Sequence, residues 1–422
     1  MATTDGTVSN NREEQPSFEM STQEPPQIIH QAERWNHPRS NILKTLATYW
    51  SFLVMGMNDA AYGLESYYNL SYTVVSLVFF SPLGGYTLAA CLNNRIHAKL
   101  GRRGVAWLAP GCHLIAYTVN CLHPPYPVLV VSFIFAGFGN GLGDAAWNAW
   151  LGDMANANQL LGLLHGFYGA GGVLSPLIAT SLITKAHLEW YYFYYIMIGC
   201  AALEFAFLLT VFWDSPGTPA EDARADESKS GLRQVLFKKT YARVTWLCAF
   251  FLLGYVGIEV ALGGWIVTFM MQIRNGEAFA SGMTATGFWL GLTVGRVVLG
   301  FVTPRIGEKV SIVVYSLLAI GLGLILWLVP NFYASAVAVS LQGFFLATKL
   351  LPKSQHVSAI GFAAAFGGGG AAVLPFAVGA IAQARGVEVL QPFIIGLSGG
   401  ILLLWLGLPR MPKKGEGSRI SA

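Results

Sequence analysis

Charged residues are scarce in this chain of 422 residues: they make up 11% of the sequence, whereas the residues AVILMFWYC make up 54%. A soluble globular protein carries about 25% charged residues, because its surface faces water. A chain with so few charges cannot cover a water-facing surface, so most of it must face lipid. The 48 glycines agree with this interpretation, because glycine is more frequent in membrane helices than in soluble ones.

The signatures of enzymes and of metal sites are also missing. The five cysteines form no CxxC pair, so their spacing indicates neither a zinc site nor a disulfide framework. The glycine-rich runs 169–172 and 367–370 are followed by no GK[ST], so they are not phosphate-binding loops. We see no nucleophile–base pair, and we expect no enzyme, no cofactor and no metal. The net charge of +4 sits in short segments between helices and does not indicate nucleic acid.

Twelve apolar runs approach the roughly 20 residues that a membrane-spanning helix needs. A hydrophilic linker at 214–240 divides them into bundles of six at 41–213 and 241–410, and we expect a disordered tail at 1–40 and a short tail at 411–422. The sequence therefore predicts an all-α integral membrane protein with two six-helix bundles. The predicted spans are 44–66, 73–94, 104–122, 127–151, 160–184, 190–213, 242–272, 282–303, 309–330, 332–350, 356–384 and 389–409.

Lysine and arginine are distributed unequally between the two sides of these spans. With the N-terminus in the cytoplasm, 22 of the 26 fall in cytoplasmic segments and one, Arg296, falls inside a span. The far side holds only Lys185, Arg274 and Arg385. Because cytoplasmic loops carry an excess of lysine and arginine, we predict that both termini are cytoplasmic.

The two halves repeat, which is typical of transporters whose similar bundles rock around a central site. A shift of 206 residues aligns Gly85 with Gly291 and Phe138 with Phe344, and later a shift of 199 aligns Gly171 with Gly370. The change of shift predicts a tenth span about two turns shorter than its counterpart. Ordinary divergence of the repeats and a shortened splice form are both compatible with this gap.

Two basic loops resemble the G-x-x-x-D-R-x-G-R-R/K loop of the major facilitator superfamily. They contain Arg102 and Arg103 in the first half and Arg305 and Lys309 in the second, and the resemblance implies that these residues orient and gate the bundles. The position of the family's Asp is occupied by Ala98 in the first loop and Pro304 in the second, so a latch based on that Asp is not expected here.

Three helix segments are similar to one branch of that superfamily, the fucose and glucose/galactose symporters and their fungal relatives. Residues 255–263 match Y-x-G-x-E-V-x-x-G, residues 167–176 resemble F-N-G-x-G-x-x-x-x-P, and residues 144–148 resemble E-x-x-x-N with Asp in place of Glu. The resemblance implies transport of a small polar solute together with protons.

Carboxylates inside predicted spans are candidates for proton coupling. A charge at mid-bilayer costs about 2.5–3.5 kcal/mol on insertion scales, so it needs a cavity, a partner or a proton. We predict this role for Asp59, Asp144 and Glu259, with a structural hydrogen bond as the alternative for each. The fucose symporter that the chain resembles carries an Asp for proton coupling at the place of Asp59. We expect Glu204, for which no partner is evident, and Arg296 to be structural.

Polar and aromatic residues beside these acids are candidates for binding the solute. His165 replaces a Gln of the symporter branch and can both donate and accept hydrogen bonds. Aromatic faces suit sugar rings, although aromatics at helical spacing also serve packing. The predicted solute-binding set is Asn58, Tyr62, Trp147, Asn148, His165 and Trp265.

The sequence thus favours a proton-coupled symporter for a monosaccharide or related polyol, acting by alternating access. A proton-driven exporter of drugs or metabolites, and a non-transporting receptor or shortened product, are the alternatives. The expected partners are the solute, protons and the lipid bilayer. We expect a monomer in the plasma or vacuolar membrane.

Overall fold

The computed structural model of the protein describes residues 2, 33–60, 70–215, 239–347 and 357–407. These ranges contain twelve α-helices and no β-strand, which confirms the all-α prediction. The helices are α1 Ser40–Asp59, α2 Tyr72–Val75, α3 Phe80–Cys121, α4 Tyr126–Gly152, α5 Ala157–Thr184, α6 Tyr192–Val211, α7 Lys239–Ile273, α8 Ala278–Ile306, α9 Glu308–Leu328, α10 Phe332–Leu346, α11 Val357–Arg385 and α12 Leu390–Leu406. Short 3-10 turns, Ser76–Phe79 and Val387–Val389, precede α3 and α12.

The second and third predicted spans both fall in α3, which consists of two helices joined at a kink. At the kink, Gly101 leaves the helical conformation, with φ of 63°. Glycine adopts this left-handed region without steric cost, so the chain changes direction at Gly101. Within the described ranges, nine stretches of helix are long and apolar enough to cross a membrane.

Helix α10 confirms the shortened tenth span. It has 15 residues, against 27 in α4, its counterpart in the first half. At 1.5 Å per residue the two helices measure about 22 Å and about 40 Å. The residues that follow, 348–356, lie outside the described ranges.

Helices α1–α6 pack mainly on one another, and so do α7–α12. The halves meet mainly where α5 packs along α8 and where α11 packs against α2, the turn Ser76–Phe79 and α3. The boundaries predicted for the two bundles and the linker stay a prediction, because 216–238 lies outside the described ranges. Residues 33–39, which we assigned to the tail, are hydrogen-bonded to the first bundle: the Ala155 amide donates to the Glu33 carbonyl over 2.8 Å.

The sequence repeat is also a repeat of close helix contacts. A Cβ atom at Gly85 in α3 would meet the Ile134 carbonyl and the Phe138 amide, and one at Gly291 in α8 would meet the Ser340 carbonyl and the Phe344 amide. These two sets of residues correspond at the shift of 206 residues. The corresponding glycines therefore perform the same task, which is to let two helix backbones approach where any side chain would separate them.

A second corresponding pair brings α5 against α1 and α11 against α7. A Cβ atom at Gly171 would meet the Leu53 carbonyl and lie 2.8 Å from the Met57 amide nitrogen. One at Gly370 would meet the Leu253 carbonyl. The pairs α1–α5 and α7–α11 thus each approach closely through a glycine-to-backbone contact.

We expect Gly171→Ala to lower the free energy of unfolding by about 1–3 kcal/mol, the usual cost of forcing extra volume into a packed site. Gly166→Ala, on the same helix with no atom within 4 Å of the added methyl, is the matched control. It should be neutral or stabilising by up to about 1 kcal/mol, because alanine favours helix over glycine. Denaturant titration of both variants in lipid–detergent micelles measures the difference, and equal stabilities would contradict the packing account.

Candidate functional site

Asp59 is the last residue of α1 and lies half-buried among three hydrogen-bond donors. The side-chain amides of Asn58 and Asn140 donate to its Oδ1 over 3.0 Å each, and the Tyr168 hydroxyl donates to its Oδ2 over 2.9 Å. These donors belong to α1, α4 and α5. Amide and hydroxyl donors stabilise a carboxylate without cancelling its charge, so the site can hold Asp59 either charged or protonated.

A second polar cluster joins α4 and α5. The side-chain amide nitrogen of Asn148 donates to Oδ1 of Asp144 over 2.8 Å. The Oδ1 atom of Asn148 lies 3.1 Å from Nε2 of His165. The oxygen of an amide only accepts, so Nε2 of His165 carries the proton in this contact. The structure therefore brings together three residues that the sequence analysis assigned to the site, and all three are half-buried.

In the second half, Glu259 of α7 forms an ion pair with Arg296 of α8. Nη2 of Arg296 lies 2.8 Å from Oε1 and 3.1 Å from Oε2 of Glu259, and the two side chains are only 11% and 8% exposed. We assigned Glu259 to proton coupling and Arg296 to a structural role. The ion pair gives each of them a partner.

Tyr168 lies between these groups, and the sequence analysis did not select it. Its hydroxyl donates to Asp59 in the first half, and it interacts electrostatically with Glu259 and Arg296 in the second. Tyr168 occupies the position of the Asn in the F-N-G motif that residues 167–176 resemble. That departure from the motif was the signal available in the sequence.

A fully buried network behind Asp59 was also missed. Nδ1 of His113 lies 2.9 Å from Oε2 of Glu204, and its Nε2 lies 2.9 Å from Oδ1 of Asn140, the amide that donates to Asp59. The hydroxyl of Ser51 donates to the other oxygen of Glu204 over 2.6 Å. Glu204, for which the sequence showed no partner, thus has two. The signal was a histidine in the third predicted span, since ionisable residues inside membranes pair with one another.

The remaining residues of the predicted solute-binding set lie in different surroundings. Trp147 is fully buried and stacks on Phe212 with ring centroids 4.8 Å apart, and Trp265 donates to the Pro375 carbonyl over 3.0 Å. Asn58 is buried beside Asp59. Tyr62 lies outside the described residues. For these residues the solute-binding role stays a prediction.

The predicted gating residues lie at the ends of helices. The Arg103 guanidinium lies 3.7 Å from the centre of the Trp213 ring, and the Arg103 amide donates to the Ser215 carbonyl over 3.0 Å. Arg102 is half-buried and Arg305 is exposed. The Lys309 carbonyl accepts a hydrogen bond of 3.2 Å from Trp405. Arg103 thus contacts the segment that follows α6, and Lys309 contacts α12, the last helix of its own bundle.

The opposite ends of the helices join the two halves. The Tyr72 amide donates to Gln383 over 2.8 Å, and its hydroxyl is hydrogen-bonded to Gln272. Phe80 contacts Phe376 with ring centroids 4.9 Å apart. We call these residues, Tyr72, Phe80, Gln272, Phe376 and Gln383, the distal contact. It connects α2 and α3 of the first half to α7 and α11 of the second.

Across the described part of the chain, no group of three or more His, Cys, Asp or Glu side chains is arranged to hold a metal ion. The clusters described above consist of hydrogen-bonding and ionisable groups. Proton exchange within a membrane uses ionisable groups that face the bundle interior or a water-filled cavity. Asp59 and Asp144 meet that description, because each is half-buried and hydrogen-bonded.

We expect Glu259→Gln and Arg296→Gln each to destabilise the protein by about 3–5 kcal/mol, because each leaves a buried charge unpaired. The double variant should recover a large part of that loss, since it removes both charges. Unfolding titrations of the four proteins form a double-mutant cycle, with Arg305→Gln at an exposed position as a control for loss of positive charge. Additive effects in the cycle would show that the pair is not coupled.

Comparison with known proteins places these clusters in a familiar fold. Over 87% of this chain and 98% of the other, the structure matches a D-xylose-proton symporter with a TM-score of 0.67 at 13% sequence identity. It also matches the fucose:proton symporter of E. coli, with a TM-score of 0.62 at 14% identity over 88% of this chain and 99% of the other. At these identities the match shows the fold.

Relatives are also found by sequence. The chain is 27% identical over 419 residues to bypass of stop codon protein 6 of Saccharomyces cerevisiae, covering 89% of this chain and 84% of that protein. It is 22% identical over 284 residues to a glucose/mannose transporter of Bacillus subtilis, covering 64% of this chain and 66% of that one. Residues 45–348 match the family description of the Major Facilitator Superfamily. The chain is therefore a multi-pass membrane protein that belongs to the Major Facilitator Superfamily of transporters.

Proposed function

We propose that this transporter is a proton-coupled symporter of a small polar solute, with monosaccharides and related polyols as the class to test first. The observation that carries the proposal is the position of Asp59. Its carboxylate is half-buried and receives hydrogen bonds from Asn140 of α4 and Tyr168 of α5. Three of the matched proteins are named as transporters of glucose and mannose, of xylose and of fucose, and these names support the same solute class.

Protonation of Asp59 supplies a physical link between a proton and the relative position of the halves. A carboxylate accepts a stronger hydrogen bond from Tyr168 than a neutral carboxylic acid does. When Asp59 takes up a proton, Tyr168 is held less firmly in the first half. Its hydroxyl then becomes available to Glu259 and Arg296 in the second half, with which it already interacts. The proton therefore changes which half holds the tyrosine.

The solute in this proposal is bound beside Asp59 by the cluster of Asp144, Asn148 and His165. The three side chains provide donors and acceptors at neighbouring points, as a ring of hydroxyl groups requires. All three are half-buried, so they are shielded from bulk water without being sealed off. Asn58, Tyr62, Trp147 and Trp265 complete the proposed set, and Asp144 and Glu259 join Asp59 as proposed proton-coupling acids.

The state that the structure shows is, in this proposal, the one closed on the extracellular side. The distal contact joins the halves at the ends where Lys185, Arg274 and Arg385 lie, and these are the helix ends poorest in positive charge. The basic loops with Arg102, Arg103, Arg305 and Lys309 then face the cytoplasm. We propose a monomer in the plasma or vacuolar membrane with both termini cytoplasmic.

We expect a solute of this class to trigger proton influx in proteoliposomes that contain the full chain. A panel of hexoses, deoxyhexoses and polyols tests the solute, and a pH-sensitive dye trapped in the vesicles reports the influx. An acidifying signal with one compound would establish symport and identify the solute. Silence across the panel with folded protein, together with solute-driven proton movement in the opposite direction for another compound class, would favour an exporter.

In the same vesicles, Asp59→Asn should abolish accumulation of the solute against its gradient while solute counterflow continues, because exchange does not require the proton to leave. The loss should be about 100-fold or more, as expected when an essential proton-transfer group is removed. Asp153→Asn, at an exposed position after α4, controls for the loss of one carboxylate. Full accumulation by Asp59→Asn at neutral pH would contradict the coupling role.

A further inference from the structure

We propose that His113 and Glu204 form a second proton-holding site in the first half, and that Asn140 connects it to Asp59 as a two-position switch. The proposal deepens the proposed function and rests on it for its transport consequence. Its structural part stands on four side chains from four helices, α1, α3, α4 and α6, that hydrogen-bond in one row. In order, the row is Asp59, Asn140, His113 and Glu204.

The row is sealed from both lipid and water beyond Asp59. His113, Asn140, Glu204 and Ser51 are each 0% exposed, whereas Asp59 is half-buried. The protein also makes room for the imidazole: a Cβ atom at position 139 would lie 2.8 Å from Nε2 of His113, and only the glycine found there leaves that space. A proton in this row can therefore exchange with the surroundings only through the Asp59 end.

Hydrogen-bond geometry determines how many protons the row holds. The Nδ2 atom of Asn140 donates to Asp59, so the Oδ1 atom of Asn140 faces Nε2 of His113. An amide oxygen only accepts, so Nε2 carries a proton. The contact of 2.9 Å between Nδ1 of His113 and Oε2 of Glu204 needs one more proton, because two bare acceptors would repel each other. The His113–Glu204 pair as a whole is then neutral, and Asp59 carries the negative charge.

A second arrangement with the same number of protons follows if the amide of Asn140 turns over. Its Oδ1 then faces Asp59, which must be protonated in order to donate to it. Its Nδ2 faces His113, so Nε2 must be bare in order to accept. Nδ1 of His113 keeps its proton and donates to the Glu204 carboxylate. Between the two arrangements one proton leaves Nε2 of His113 and one proton arrives at Oδ1 of Asp59, and the net charge of the row does not change.

The equal net charge of the two arrangements gives the row a function. Moving one charge within a buried network at constant net charge avoids the cost of adding an uncompensated charge inside the membrane. Asp59 can therefore be neutralised for a solute without a proton crossing from water at the same moment. His113 takes up another proton later, from the side of the membrane to which Asp59 is open. In this account His113 is a proton store and Asn140 is a positioning residue that acts through Asp59.

Other ionisable groups lie around the row. Tyr117 stacks on the imidazole with ring centroids 5.7 Å apart, and Cys200 interacts electrostatically with Glu204 from the same helix, α6. Asp144 of α4 interacts electrostatically with Asp59, and Tyr168 of α5 donates to it. The ionisable groups facing His113 are thus Asp59 and Glu204, with Tyr117 against its face and Asp144, Tyr168 and Cys200 one step away.

The test is the protonation state of Nε2 of His113 in the full chain, which needs no solute. Nitrogen-15 NMR of histidine-labelled protein in lipid nanodiscs separates protonated from bare ring nitrogens, and His113→Gln identifies the signal among the eight histidines. We expect Nε2 to be protonated in the wild type at neutral pH and bare in Asp59→Asn. In that variant the new amide donates to Asn140 and holds the switch in its second position.

Three further variants make the result specific. Asp59→Glu restores a carboxylate and should return the proton to Nε2, whereas Asp153→Asn should leave the wild-type signal unchanged. Asn140→Leu, combined with Asp59→Asn, removes the connection and should make the state of His113 independent of position 59. A fixed structural ion pair would instead keep Nε2 protonated in Asp59→Asn, and that result, or a bare Nε2 in the wild type, would overturn the proposal.

Transport assays distinguish a failure of this inference from a failure of the proposed function. If the wild type moves protons with a solute, His113→Gln should lower proton-driven accumulation roughly tenfold or more, within the range of coupling between linked sites, while counterflow is retained. Unchanged solute accumulation by a folded His113→Gln variant would contradict the role of His113 as a proton store. A wild type without any solute-driven proton movement would refute the symporter proposal, whereas the NMR result would still decide whether the switch exists.

Discussion

Asp59 receives hydrogen bonds from three helices, and the arrangement of the first bundle depends on that convergence. A carboxylate inside a bilayer has no water to solvate it, so the protein itself must supply its donors. Asn58, Asn140 and Tyr168 meet this need from α1, α4 and α5. Asn140 also contacts His113, and Tyr168 interacts electrostatically with the ion pair of the other bundle. The charge of one residue therefore influences groups in both halves.

The two halves have similar backbones and different chemistry. Corresponding glycines, such as Gly85 and Gly291, bring corresponding helices together, so each bundle has the same packing. The ionisable groups do not follow this symmetry. The first half holds a row of carboxylate, amide and imidazole, in which protons can change place, while the second half holds a direct ion pair between Glu259 and Arg296. An arginine retains its proton, so in this pair only the carboxylate of Glu259 can exchange one.

The short α10 adds a further asymmetry. It keeps the close contact with α8 at Gly291 through Ser340 and Phe344. The helix then ends at Leu346, where its counterpart in the first half continues through Asp144 and Asn148. The polar cluster of α4 therefore has no equivalent in α10. This concentrates the hydrogen-bonding groups proposed for the solute in the first half, beside the groups proposed for the proton.

The sequence by itself determined the number and order of the apolar spans, the repeat and the positions of the acids within the spans. These features are local, because hydropathy and charge act on each segment as it meets lipid. It also separated the second and third spans, and the structure has a kink at Gly101 between them.

Only the tertiary structure decided which ionisable groups meet. His113 and Glu204 lie 91 residues apart in different spans, and Glu259 lies 37 residues from Arg296. Tyr168 turns toward Asp59, while Trp147 turns away into the packing around Phe212. These directions depend on how each helix is rotated about its axis. That rotation is set by glycine-to-backbone contacts between helices distant in the sequence, which no single segment contains.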